Sequence, residues 1–321
     1  MCRHCLACAL VAVSAAASAQ QQSREDAWWT GPMLAPNAAT LPTGHALIEP
    51  YLFDVITDGH FDAHGTRQPG PREHDLGSLT YMLYGLTDRV TVGLIPRFAY
   101  NEPAGAANSS GVGFGDLTLQ AGYGLTQYRD GRRMPAISMV IQETLPTARY
   151  DHLARASDGF GAGAYTTALA LYSQDYFWMP NGRILRARLD LTYTLSASAD
   201  VGGLSVYGTP QGFSGRAYPG DSFTADAAAE YSVTRHWVLA LDIVYQHNDS
   251  TQVSGTVQPP GGATAVPLSQ SSGSSYSLAF APAIEYNWNS RVGALLGVRI
   301  IRIGRNTTSS LTPAIALNMV F

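Results

Sequence analysis

The stretch GFGDLTLQAGYGLTQYRDGRRMPAISMVIQETLPT, residues 113–147, decides the fold class. Leu117, Leu119, Ala121, Tyr123 and Leu125 share one parity, and Asp116, Thr118, Gln120, Gly122 and Gly124 share the other. A strand turns successive side chains to opposite faces, so this alternation makes a ribbon with one oily and one polar side. Arg129-Asp130-Gly131-Arg132-Arg133 interrupts the ribbon with a polar Asp-Gly turn signal. A second ribbon follows, with Ile137, Met139 and Ile141 opposite Ser138, Val140, Gln142 and Thr144. Ribbons of about ten residues or more are long for a globular sheet and suit a tilted crossing of a bilayer.

The same unit recurs along the chain. Strands are expected over 46–55, 76–86, 90–98, 159–174, 185–195, 223–233, 237–246, 276–288, 291–303 and 311–321, which with the two ribbons make twelve. Tight turns at 87–89, 179–182, 234–235 and 289–290 alternate with polar, Gly-rich loops at 56–75, 101–111, 148–158, 200–220 and 248–273. An even strand count with long loops at one end describes an outer-membrane barrel. Hydrocarbon offers no partner to a free backbone N–H, so the first and last strands must pair. The expected fold is an all-β, transmembrane antiparallel β-barrel.

Residues 1–19 read as a signal peptide: Arg3, an apolar run from Cys5 to Ala17, and Ala17-Ser18-Ala19 as the cleavage site. All three cysteines (Cys2, Cys5, Cys8) fall in it, so no disulfide or thiolate chemistry is expected in the mature chain. Residues 20–44 form a non-strand leader, placed on the periplasmic side, in which Trp28-Trp29 caps the barrel mouth, joins the aromatic belt or marks a partner contact. The barrel covers 45–321. A net charge of −4 speaks against a nucleic-acid partner.

With the aliphatic parity toward lipid, the opposite parity lines the lumen. That set holds Glu49, Arg97, Asp116, Gln120, Arg186, Arg188, Asp190, Asp226, Glu230, Asp242, Glu285 and Arg299. Two readings fit it. The charges pair into a network that closes the bore, giving a structural or surface-binding barrel, or they line a constriction that selects small solutes. Their nearly balanced signs oppose strong ion selectivity.

No catalytic, metal or cofactor site is expected. An outer-membrane lipase needs a lipid-facing His-x-Ser pair, and no histidine here has Ser two positions on; His247-Asn248-Asp249-Ser250 has the wrong spacing. Asp58, His60, Asp62, His64 and His74 read as a solvated loop rather than a metal site.

The segments WWTGP (28–32), LAP (34–36), LPTGH (41–45) and IEPYLFD (48–54), with GFGDLTLQAGYGL (113–125) and QETLPT (142–147), resemble the outer-membrane barrel family named for the meta-pathway of phenol degradation. The resemblance spans nearly the whole mature chain and departs at Leu145-Pro146-Thr147-Ala148, where the family's usual fourth residue is Gly. It implies a barrel associated with aromatic catabolism that passes a small solute. It also implies that the terminal Phe321 is the signal read by the outer-membrane assembly machinery. The expected partners are outer-membrane lipid, that machinery and the solute.

Overall fold

A stave that separates lipid from a lumen needs apolar side chains on every second residue only, and the chain keeps that period through the whole wall. The computed structural model describes residues 23–129, 134–261 and 264–321; the predicted signal peptide and the turn residues 130–133 lie outside the described residues. The strands are β1 (Ala46–Phe61), β2 (Arg67–Thr87), β3 (Val90–Ile95), β4 (Arg97–Glu102), β5 (Gly113–Phe114), β6 (Leu117–Thr126), β7 (Ala136–Leu145), β8 (Thr166–Trp178) and β9 (Ile184–Ser196). They continue with β10 (Ala199–Gly202), β11 (Phe213–Tyr218), β12 (Ser222–Ser232), β13 (Trp237–Asn248), β14 (Gln252–Val257), β15 (Val266–Ser271), β16 (Ser275–Asn287), β17 (Val292–Arg305) and β18 (Thr307–Val320).

The wall runs β1-β18-β17-β16-β13-β12-β9-β8-β7-β6-β3-β2, with β4 and β5 continuing the staves of β3 and β6. That is twelve antiparallel staves. The β3–β4 break falls at Pro96, which has no N–H to give a ladder. β1 pairs with β2 on one side and with β18 on the other, from Leu47↔Val320 to Phe61↔Thr307. The seam is therefore closed.

On β13, Trp237, Leu239, Leu241, Ile243 and Tyr245 are exposed, whereas Val238, Ala240, Asp242 and Val244 are buried inside. The other staves repeat this with Leu169, Leu171, Leu189, Leu191, Leu296 and Ile315 outward. An exposed aliphatic belt of this extent is stable only against hydrocarbon. Trp237, Tyr286 and Trp288 pack together at its short-turn end, tilted and edge-on with ring centroids 4.6 and 5.4 Å apart, as an interfacial girdle. Short turns mark the periplasmic end and long loops the extracellular end.

Three loops hold more order than their composition predicts. Most of 56–75 belongs to an extended β1–β2 hairpin, with a bulge at Asp58, whose carboxylate meets Arg67 at 2.9 Å and Arg302 at 2.8 Å. The loops at 200–220 and 248–273 contribute β10-β11-β14-β15, a second sheet with its own small core of Val201, Phe213, Ala217 and Val253. Gly and Ser between those apolar residues hid the strands. β8 begins at Thr166 rather than 159, because the residues before it pack on the preceding hairpin.

That packing explains the motif at 113–116. Asp116 accepts the Ala148 and Ala162 N–H groups at 2.9 and 2.8 Å, and the Leu117 N–H donates to Thr147 Oγ1 at 3.0 Å. Phe160 lies so close to Gly113 that a Cβ there would sit 2.1 Å from its ring. The two most distinctive segments of the sequence thus dock one extracellular loop. The lipid face carries its own test: Leu241→Arg, near the middle of β13, should cost about 2–4 kcal/mol in denaturant refolding into vesicles, and Leu241→Val much less.

Candidate functional site

The leader begins at the periplasmic mouth and turns into the lumen. Its entry is set by aromatic contacts: Trp28 meets His236 edge-on at 4.6 Å, with the Arg235 guanidinium 4.5 Å from its ring centroid. Trp29 lies under the Arg186 guanidinium at 4.6 Å. The tryptophans therefore fasten the leader to the barrel.

A peptide inside a bore has backbone groups that no strand ladder reaches. Lumenal carboxylates take them. Glu285 on β16 accepts the Thr30 and Gly31 N–H groups at 2.7 and 3.1 Å. Asp242 on β13 accepts Met33, Leu34 and Ala35 at 3.1, 3.3 and 2.9 Å. Asp242 stands five residues along its strand from Trp237, roughly 17 Å of wall at about 3.4 Å per residue. Gly31 has φ +128°, a conformation that favours glycine, which lets both N–H groups turn to one oxygen. The Arg188 guanidinium donates to the Ala35 carbonyl at 2.6 Å.

From Ala35 the chain returns. Leu41 N–H donates to Thr91 Oγ1 at 2.9 Å, and the Thr43 N–H and hydroxyl reach Asp88 in the β2–β3 turn at 3.0 and 2.7 Å. Those donors, the Thr43 N–H foremost, hold the Asp88 carboxyl below its usual range. Met33, at the tip, packs against Tyr51, Ala281, Leu295, Ala314 and Ala316, all inward-facing. The leader is a hairpin-shaped insert.

The predicted lumenal residues fall into distinct groups. Arg186 and Arg188 on β9 both pair with Glu230 on β12, the second at 3.2 Å. Asp242 and Glu285 hold the leader instead of crossing the bore to an arginine. Asp190 and Asp226 oppose each other in the β9–β12 register and are buried. Arg299 faces inward from β17, half-buried, and Arg97 is exposed on β4 near the extracellular end. Gln120 accepts a bond from Gln142 at 3.1 Å. Glu49 accepts one from Asn318 at 3.2 Å. Asp116 docks a loop, as described, and does not take part in the lumenal cluster.

Beside the leader a cavity of about 210 Å³ remains. Tyr51, Tyr81, Tyr172, Leu83, Val140 and Met33 give it an apolar surface, and Glu49, Gln120, Gln142 and Asn318 a polar one. A second cavity of about 200 Å³, lined by Ala136, Tyr128, Gln174 and Tyr176, opens at the periplasmic mouth. The two share Ala39 and Thr40 of the leader as a common wall. At the extracellular end a wider recess of about 480 Å³ lies between Asn101, Pro103, Arg155 and Ser157. The tyrosines were missed in the sequence, although Tyr51 shares the parity of Glu49. Among the described residues no cluster of three His, Cys, Asp or Glu side chains is placed to hold a metal.

Removing Asp242 tests the leader's anchorage. Each buried N–H that loses its acceptor costs about 1–3 kcal/mol, so Asp242→Ala should free the tip. Chymotrypsin should then cut the leader at least several-fold faster than in the unchanged barrel, with a higher single-channel conductance.

Comparisons with known proteins follow the same lines. A family model described as "Putative MetA-pathway of phenol degradation" matches residues 53–311. An outer-membrane channel of Pseudomonas putida F1, from the COG4313 group, superposes with a TM-score of 0.65 at 14% identity, covering 89% of this chain and 98% of that one. The toluene transporter TodX of Pseudomonas putida gives 0.41 at 11% identity, over 87% and 90% of the two chains. At such identities the first likeness is one of fold, and the second carries no further weight. No curated protein matches the sequence.

Proposed function

The chain belongs to the family described for the MetA-pathway of phenol degradation, and on that premise we propose that it is an outer-membrane channel for passive uptake of small solutes with an aromatic or otherwise apolar body. One observation carries this reading. The leader narrows the bore without filling it, leaving a cavity beside it and a second cavity at the periplasmic mouth, with Ala39 and Thr40 of the leader between the two.

Size and lining set the solute. An apolar cavity of about 150 Å³ is enough to hold benzene in another protein, so about 210 Å³ leaves room for one substituted ring. Tyrosine rings and aliphatic side chains favour an apolar body, while the glutamines and Asn318 keep a wet edge along which a polar substituent can travel. No covalent step is involved, and the concentration gradient supplies the drive. Arg186, Arg188 and Glu230 act here as the frame that fixes the leader's position. Their mutual pairing leaves little free charge to attract ions of either sign.

The alternative, a closed barrel whose extracellular sheet carries the role, draws support from the five leader N–H groups bound by Glu285 and Asp242. Uptake into liposomes separates the two. The folded barrel should speed entry of phenol or benzyl alcohol over protein-free vesicles, and Gln142→Trp, which fills the cavity from β7, should lower that rate at least fivefold. Equal rates with and without the barrel would leave the closed reading standing.

A further inference from the structure

The cavity beside the leader contains an acid that forms no salt bridge with the wall. Glu49, on β1, is hydrogen-bonded to the neutral Asn318 amide and to the Tyr51 side chain, lies within electrostatic reach of Arg188, and has no salt-bridge partner among the described residues. The two arginines that border the same cavity are committed elsewhere. Arg186 is paired with Glu230, and Arg188 divides its guanidinium between Glu230 at 3.2 Å and the Ala35 carbonyl at 2.6 Å. The neighbouring acids Asp242 and Glu285 are occupied by leader N–H groups. Glu49 alone among these is turned to open space.

Around it stand aromatic faces. Tyr51, two residues along the same stave, and Tyr81 on β2 meet edge to face, with centroids 6.1 Å apart and planes at 78°. Tyr172 on β8 faces the same space from across the cavity. Tyrosine rings, whose π faces attract cations, beside a carboxylate make an arrangement suited to an organic cation. A bound cation beside a carboxylate that has hydrogen bonds but no salt bridge gains a charge-assisted contact.

The geometry points to the cavity of Glu49, Tyr51, Tyr81 and Tyr172 as a binding site for small organic ammonium solutes, compact apolar bodies that carry one cationic nitrogen. The inference rests on the channel reading above and narrows its solute: among rings of one size, the cation is held in preference to the neutral alcohol and the anion. Glu49 is the residue that sets this order, and the tyrosines add to it without defining it.

Benzylamine, a cation at neutral pH, its neutral isostere benzyl alcohol and the anion benzoate are the probes. They are titrated calorimetrically into the full-length refolded barrel and into Glu49→Gln and Tyr81→Leu, each first shown folded by its heat-modifiable gel mobility. The unchanged barrel should bind benzylammonium at least tenfold tighter than benzyl alcohol, with benzoate weakest. Glu49→Gln should erase the preference. Tyr81→Leu should weaken benzylammonium several-fold while keeping the order. Equal affinities for amine and alcohol in the unchanged barrel overturn the assignment, as does a preference that survives Glu49→Gln. Liposome uptake of the same compounds tells the two readings apart. Barrel-dependent entry of both without preference removes the ammonium site and leaves the channel, whereas barrel-dependent entry of neither removes both.

Discussion

A backbone N–H inside a membrane barrel must find an acceptor, and the solution to that requirement shapes this protein from inside. The wall satisfies its own amides through the closed ladder from β1 to β18. The leader has no ladder, so its donors depend on side chains. Asp242 and Glu285 take five of them, the Arg188 guanidinium satisfies the Ala35 carbonyl, and Asp88 and Thr91 secure the return. Charged residues in the lumen are thus partly a scaffold for a second piece of chain.

The placement of these charges also divides the bore. The ion-paired Arg186, Arg188 and Glu230 stand on β9 and β12, and the leader leans on β13 and β16 beside them. The opposite side, from β1 through β2 to β8, carries tyrosines, glutamines and small residues, and there the space stays open. Within the predicted lumenal set, six carboxylates (Glu49, Asp190, Asp226, Glu230, Asp242, Glu285) accompany four arginines (Arg97, Arg186, Arg188, Arg299). The imbalance is tolerable because backbone donors of the leader answer two of the acids.

The wall was legible from alternation alone. Leu117 to Leu125, or Trp237 to Tyr245, cannot place their aliphatic side chains on one face in any period but two, and the long extracellular loops followed from their polarity. The parity that turns Leu241 outward turns Asp242 inward, where it is buried. What parity lacks is depth and partners. It assigned Asp116 to the lumen, whereas that carboxylate docks a loop, and it gave no reason to expect two acids to bind backbone amides. The leader was opaque because its contacts are side chain to backbone at great sequence distance and leave no periodic trace. The extracellular sheet was hidden for another reason: β10, β11, β14 and β15 are four to six residues long, and Gly and Ser dilute their apolar positions.

The leader's contacts join the first described residues of the chain to strands very late in it. Met33 bonds Asp242 across 209 positions and Thr30 bonds Glu285 across 255. Closing so long a loop carries an entropic cost that is recovered only when the intervening staves already stand in order. The leader's seat is assembled from β13 and β16 together, so it exists only where those staves already stand side by side.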